Sequence, residues 1–307
     1  MSNQVYKEDV VYLDNAATTR VAEEVEEAMK PYLGEKFGNA STAYGYGEEA
    51  REAIWHARCR IAESLEAKPS EIYFTSGGSE SDNWAIKGIA GACKEKGNHI
   101  ITSRIEHHAV LNSCEYLERL GYEVTYLDVD ENGTVSPEEL ACAIRPETTL
   151  ISVMFGNNEI GTIEPIVQIG RIAGERQILF HTDAVQAYAQ VPISVRRYPV
   201  DLLSASAHKF HGPKGVGFLY VRDGIKMPSF IHGGSQEQGK RAGTENVPGI
   251  VGMGKAVELA FADMRARIRR ESMLRNYLME KAVHELPDVR INGHRVNRLP
   301  GNVSMSF

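Results

Sequence analysis

The chain is poor in the residues that would tie it to metals, disulfides or membranes. It has four cysteines in 307 residues, Cys59, Cys93, Cys114 and Cys142, with no CxxC pair and no histidine at metal-ligand spacing. That pattern excludes a disulfide-stapled framework and a cysteine zinc site. All four lie in helix-like stretches and read as buried structural thiols. No apolar run is long enough for a membrane span, and the opening MSNQVYKEDV has no apolar signal core. A cytoplasmic location without a membrane partner is therefore expected. Positive charge is lacking too: 34 Lys and Arg against 41 Asp and Glu leave −7, and no basic stripe dominates. No nucleic-acid partner is expected from that balance. The most basic run, RARIRRESMLR at 265–275, alternates with apolar and acidic residues and reads as the solvated face of a helix.

Apolar residues make up 42% of the chain, enough for one large domain and a smaller one. Seven short β-branched or apolar runs stand out: EIYFTSG, HIITS, EVTYLDV, TLISVMF, ILFHTDA, VDLLSASA and GVGFLYV. Helix-like segments lie between several of them, such as SPEELACAIR, with Ser136 as N-cap and Pro137 in the first turn. The alternation predicts an α/β fold: a mainly parallel seven-stranded sheet flanked by helices, with a smaller α+β domain. From Gly249 to Leu286 the spacing predicts one long helix. VRINGH then reads as a short strand and turn, and LPGNVSMSF as a strand. The chain stops at Phe307 inside that last run, which leads to the expectation that the small domain lacks its C-terminal part.

Ligands of open parallel sheets gather at the carboxyl ends of the strands, so the residues after each run carry the functional reading. TSGGSESDN, from Thr75 to Asn83, combines glycines and hydroxyls with a helix start, which suits an anion. RIEHHAVL places His107 and His108 in a strand-to-helix loop. GNNEIGT offers the amides of Asn157 and Asn158. Asp183 follows an apolar strand, where a carboxylate needs a cation or donors. SASAHKF delivers Ser206, His208 and Lys209 to the same edge, and a desolvated lysine there is a candidate nucleophilic amine. Lys214, between Pro213 and Gly215, reads as a turn residue. A phosphate cradle, a carboxylate for a ring nitrogen and a lysine for an aldehyde together fit pyridoxal 5'-phosphate.

These residues, with VYLDNAATT, FGNASTAYGYGEEAR, GGSQEQGKRAGTENVPG and RLPGNVSMSF, resemble the cysteine desulfurases along nearly all 307 residues. Those are fold-type I pyridoxal-phosphate enzymes of the class V aminotransferase group. The resemblance implies a large cofactor domain over 15–258 and a small one from 1–14 and 259–307. It makes Lys209 the Schiff-base lysine, Asp183 the partner of the pyridine nitrogen, and Gln186 a donor to the ring oxygen. Asn158 would touch the ring oxygen and the substrate, and His107 would stack on the ring and handle protons. Gly78, Ser79, Ser206 and His208 match phosphate ligands. Thr244 matches a residue that reaches the phosphate of a second subunit, so a homodimer is implied. No metal is.

The implied reaction removes sulfur from L-cysteine, leaving L-alanine and an enzyme persulfide for iron–sulfur cluster or thiocofactor assembly through an acceptor or scaffold protein. The family's nucleophilic cysteine has no counterpart among the four cysteines present, so the 307-residue chain is expected to make no persulfide. A lyase or aminotransferase on the same fold, and a non-catalytic dimerising homologue, are the alternative readings.

Overall fold

The computed structural model describes residues 11–307, so most of the expected segment 1–14 falls outside the described residues. All seven apolar runs form strands: β1 (Ile72–Thr75), β2 (His99–Ser103), β3 (Glu123–Leu127), β4 (Thr148–Ser152), β5 (Leu179–Asp183), β6 (Leu202–Ser206) and β7 (Gly217–Val221). They build one sheet in the order β1-β7-β6-β5-β4-β2-β3. Neighbours from β3 to β6 pair in parallel, whereas β7 runs against both β6 and β1. The reversal follows from chain length. Only residues 207–216 join β6 to β7, too few for the helical crossover that a parallel pair requires.

The described residues also form eight α-helices: α1 (Glu23–Met29), α2 (Gly45–Ser64), α3 (Gly78–Ala92), α4 (His108–Glu118), α5 (Pro137–Ala143), α6 (Ile166–Glu175), α7 (Val247–Ala262) and α8 (Met264–Glu285). Ser136 caps α5 as expected, its hydroxyl accepting from Glu139 N at 3.2 Å with Pro137 in the first turn. Successive strand residues face opposite ways. Ile72, Phe74, Ile101, Ile151, Leu203 and Phe218 join one core with α2 and α7. Tyr73, Ile100, Leu150, Leu202 and Leu219 join the other, with Trp84 of α3 and Val110 of α4. Because both faces are covered, the inner strands read as largely apolar runs rather than as alternating ones, whereas edge strand β3 is mostly half-buried.

Four expectations need correction. The long helix is broken at Asp263 (φ −130°, ψ 23°), while apolar spacing runs on through the break and hides it. The last apolar run forms only a two-residue strand, β9 (Met305–Ser306), paired antiparallel with β8 (Arg290–Ile291). The preceding residues turn instead, with Arg298 donating to the carbonyls of Asn302 and Asn292 at 3.0 and 2.7 Å. The basic run is not wholly solvated either. Arg275 is buried and donates to Leu299 O at 3.1 Å, and Arg267 donates to Gln190 Oε1 at 3.0 Å. Of the cysteines, Cys114 is buried, Cys59 and Cys93 are half-buried, and Cys142 on the short α5 is exposed. No helix among the described residues is long and apolar enough to cross a membrane.

Two buried carboxyl groups make stability depend on pH. Glu106 Oε1 accepts from the Ser103 hydroxyl at 2.6 Å and Met154 N at 2.9 Å, while its Oε2 has no partner. Glu164 Oε2 accepts from Val135 N at 2.8 Å, and its Oε1 is likewise alone. Burial pushes Glu106 up to about 8 and Glu164 up to about 7, from an ordinary 4.5. The folded chain thus holds these protons more tightly than the unfolded chain does. Their stabilisation is complete below the ordinary value and is lost as pH rises through the folded ones. The melting temperature is expected to fall between about pH 5 and about pH 8, and to fall less in Glu106→Gln. Equal slopes for the two proteins in a calorimetric pH series would refute the assignment.

Candidate active site

Strands β1, β2, β4, β5 and β6 point the same way, so the loops after them meet at one edge of the sheet. There they line a cavity of about 610 Å³. Asp183, the last residue of β5, stands at its base, 5% exposed, and its Oδ1 accepts from Val185 N at 2.8 Å. Burial pushes its pKa up, while the Val185 N–H, His107 and Lys209 push it back. Lys209 ends the single 3₁₀ turn that follows β6. Its half-buried ammonium donates to the carbonyls of Ala16 and Ala17, the second at 2.9 Å. Burial lowers its pKa, against the pull of Asp183 and then Asp14. Lys209 is therefore readier than a surface lysine to offer a free amine.

His107 is the N-cap of α4, its Nδ1 accepting from Ala109 N at 3.1 Å. With Nδ1 accepting, Nε2 is the ring nitrogen left to donate. His107 lines the cavity, whereas His108 does not; their rings meet edge-on at 6.2 Å. In the pair of amides after β4, Asn158 lines the cavity. Asn157 is committed to the turn, its Oδ1 accepting from the N–H groups of Glu159 and Ile160 at 2.8 and 3.0 Å. Gln186 also lines the cavity and donates to Ala16 O at 2.9 Å.

The loop expected to hold an anion starts at Gly77, whose φ of 149° is closed to residues with a Cβ. No side chain caps α3, which leaves its first N–H groups free. A Cβ on Gly78 would come within 2.5 Å of Val185 Cγ2, so only glycine leaves the approach open. Gly78, Ser79, Ser206 and His208 line both the main cavity and a hollow adjoining it. Lys214 sits in the expected exposed turn and borders that hollow as well, a role its turn chemistry did not announce. Thr244 is exposed and lies outside the cavity of the single chain.

Asp82 escaped the sequence reading. It is 1% exposed, lines the cavity, and has an Oδ1 with no hydrogen-bond partner, 3.7 Å from His181 Nε2. An oxygen of Asp82, an oxygen of Asp183 and a ring nitrogen of His107 all lie within 4.8 Å of one another. His181 brings no compensating charge, because burial pushes it down to about 3 and leaves it neutral. Burial, then the charge of Asp183, drive Asp82 well above the usual carboxylate range. The pair keeps one negative charge. It rests on Asp183, where the Val185 N–H and Lys209 favour it. The available signal was helical spacing: Asp82 follows Gly78 by four residues on the buried face of α3.

Residues 11–307 match the family described as Aminotransferase class-V. The chain is 58% identical over 297 residues to the cysteine desulfurase IscS of Dictyoglomus turgidum, covering 97% of this chain and 75% of that protein. It belongs to the cysteine desulfurases. The enzyme of the same name from Methanosarcina thermophila is also 58% identical, with 97% and 73% covered. A solved structure named NifS-like protein superposes with a TM-score of 0.93 at 42% identity, over 97% of this chain and 81% of that one. Another, titled SspA in complex with cysteine, gives 0.80 at 49% identity, over 81% and 72%. Cysteine desulfurases depend on pyridoxal phosphate, and the cavity's donors fit that group: an amine, a buried carboxylate and an uncapped helix start.

Proposed function

We propose that the cavity binds pyridoxal 5'-phosphate and acts on L-cysteine, with Lys209, Asp183 and His107 in the roles their places suit. The supporting observation is their convergence, with the cradle of Gly78, Ser79, Ser206 and His208, in one cavity. When bound, the cofactor supplies an aldehyde and an electron-accepting ring. Lys209 would hold the aldehyde through its amine, and the same amine is placed to take the Cα proton of the substrate. Asp183 would face the ring nitrogen and favour a proton on it. His107, with Nε2 left to donate, exchanges protons at the reacting face. Asn158 and Gln186 present amides to the ring oxygen. An acceptor thiolate then takes the substrate sulfur as the C–S bond breaks, its electron pair staying on carbon, which is protonated to give alanine.

None of Cys59, Cys93, Cys114 and Cys142 lines the cavity. Burial also pushes Cys114 up to about 12, which disfavours its thiolate. Peptide mass mapping after incubation with cofactor and L-cysteine is expected to find no persulfide on any of the four. A persulfide on one of them would overturn this. Thr244 contributes to the site of a second copy in this reading, giving a homodimer, and an iron–sulfur scaffold or similar acceptor takes the sulfur onward. The experiment for the function is titration of the chain with pyridoxal phosphate, followed by borohydride reduction and peptide mapping. Reduction is expected to fix the cofactor to Lys209, and attachment elsewhere would defeat the proposal.

A further inference from the structure

The hollow beside the main cavity presents a feature at odds with an anion site. Its lining includes a carboxylate, Glu80, in the first turn of α3, together with Gly77, Gly78, Ser206, His208 and Lys214. An acid there competes with a bound phosphate for the same helix dipole and repels it. Glu80 is, however, taken up in a two-pronged ion pair. Arg241 Nε donates to its Oε1 at 2.8 Å and Arg241 Nη2 to its Oε2 at 3.0 Å, with the side chains 21% and 12% exposed. The same Oε2 accepts from Ser76 N at 2.9 Å, at the start of the cradle loop. Arg241 comes from a distant segment, tied down by Ala242 N donating to Ile231 O at 3.0 Å. Three residues on lies Thr244, exposed and outside the single-chain cavity.

We propose that Arg241 is a positioning residue for the phosphate subsite. Through Glu80 it neutralises a carboxylate that faces the hollow, and it joins the turn carrying Thr244 to the loop carrying Gly78. The pair stays charged, since Arg241 and Ser76 hold Glu80 below the usual carboxylate range despite its burial. The proposal rests on reading the hollow as the cofactor's phosphate subsite.

The test compares pyridoxal 5'-phosphate with pyridoxal, which lacks the phosphate, by absorbance titration. Arg241→Gln is expected to bind the phosphorylated form about tenfold more weakly and pyridoxal within about twofold of wild type. Glu80→Gln/Arg241→Gln, which removes both charges, is expected to recover most of that loss. Arg241→Lys, which keeps the charge but not the fork, is expected to fall between wild type and Arg241→Gln. Equal weakening for both ligands, no weakening, or no recovery in the double variant would overturn the role of Arg241. A wild-type chain that binds the two ligands equally would instead overturn the reading of the hollow.

Discussion

Replacing Lys209 by alanine is expected to abolish α-proton exchange of L-alanine in deuterated water, by about a thousandfold or more. That assay follows the Cα proton alone and needs no acceptor thiol. The cause lies in the placement of Nζ. It reaches the cavity at the end of β6, half-buried, where burial lowers its pKa and the carbonyls of Ala16 and Ala17 hold it. No other amine among the described residues lines the main cavity, so no other side chain there replaces it as the nucleophilic amine. Borohydride is expected to leave no label on the variant, and dialysis to remove the cofactor. Lys209→Arg keeps the charge but not the titratable amine, and is expected to fail in the same way. Exchange within tenfold of wild type in either variant would place the base elsewhere.

The elements that were legible in the sequence share one property: their signal is local. Most of the strands announced themselves because both faces of the sheet are buried along them, which leaves largely apolar runs such as LISVMF; β3, at the sheet edge, is exposed or half-buried over four of its five residues. The ends of parallel strands then placed His107, Asn158, Asp183, Ser206 and Lys209 at one edge without any knowledge of strand order. What was not legible depends on distant pairs. The carbonyls that receive Lys209 lie more than 190 positions away, in a segment with no polar side chain at Ala16 or Ala17 to mark it. Arg241 and Glu80 are 161 positions apart and look like ordinary surface charges. Asp82 sits in SESDN among residues that read as helix-start polar groups. Only the packing of α3 across the sheet turns that acid inward.

That buried acid governs the second large effect, an asymmetry between two carboxylates. Asp183→Asn is expected to cut α-proton exchange by about a hundredfold to a thousandfold, whereas Asp82→Asn stays within about threefold of wild type. Two carboxylates within 4.8 Å, both almost wholly buried, cannot both ionise at neutral pH. The groups around them decide which keeps the proton. Asp183 receives the Val185 N–H at 2.8 Å and faces His107 and Lys209. Asp82 faces neutral His181, the Asp183 charge and buried Glu106, with the Ser204 hydroxyl as its one favourable contact. An asparagine at 82 therefore reproduces the neutral acid in shape and charge. At 183, in the proposed reading, it removes the single charge that would steady a protonated ring nitrogen. Infrared difference spectra give an independent reading, because a protonated carboxyl absorbs apart from carboxylates. That band is expected in wild type and in Asp183→Asn, and is expected to weaken in Asp82→Asn. Comparable losses of exchange in the two variants would mean that the charge is shared rather than held by Asp183.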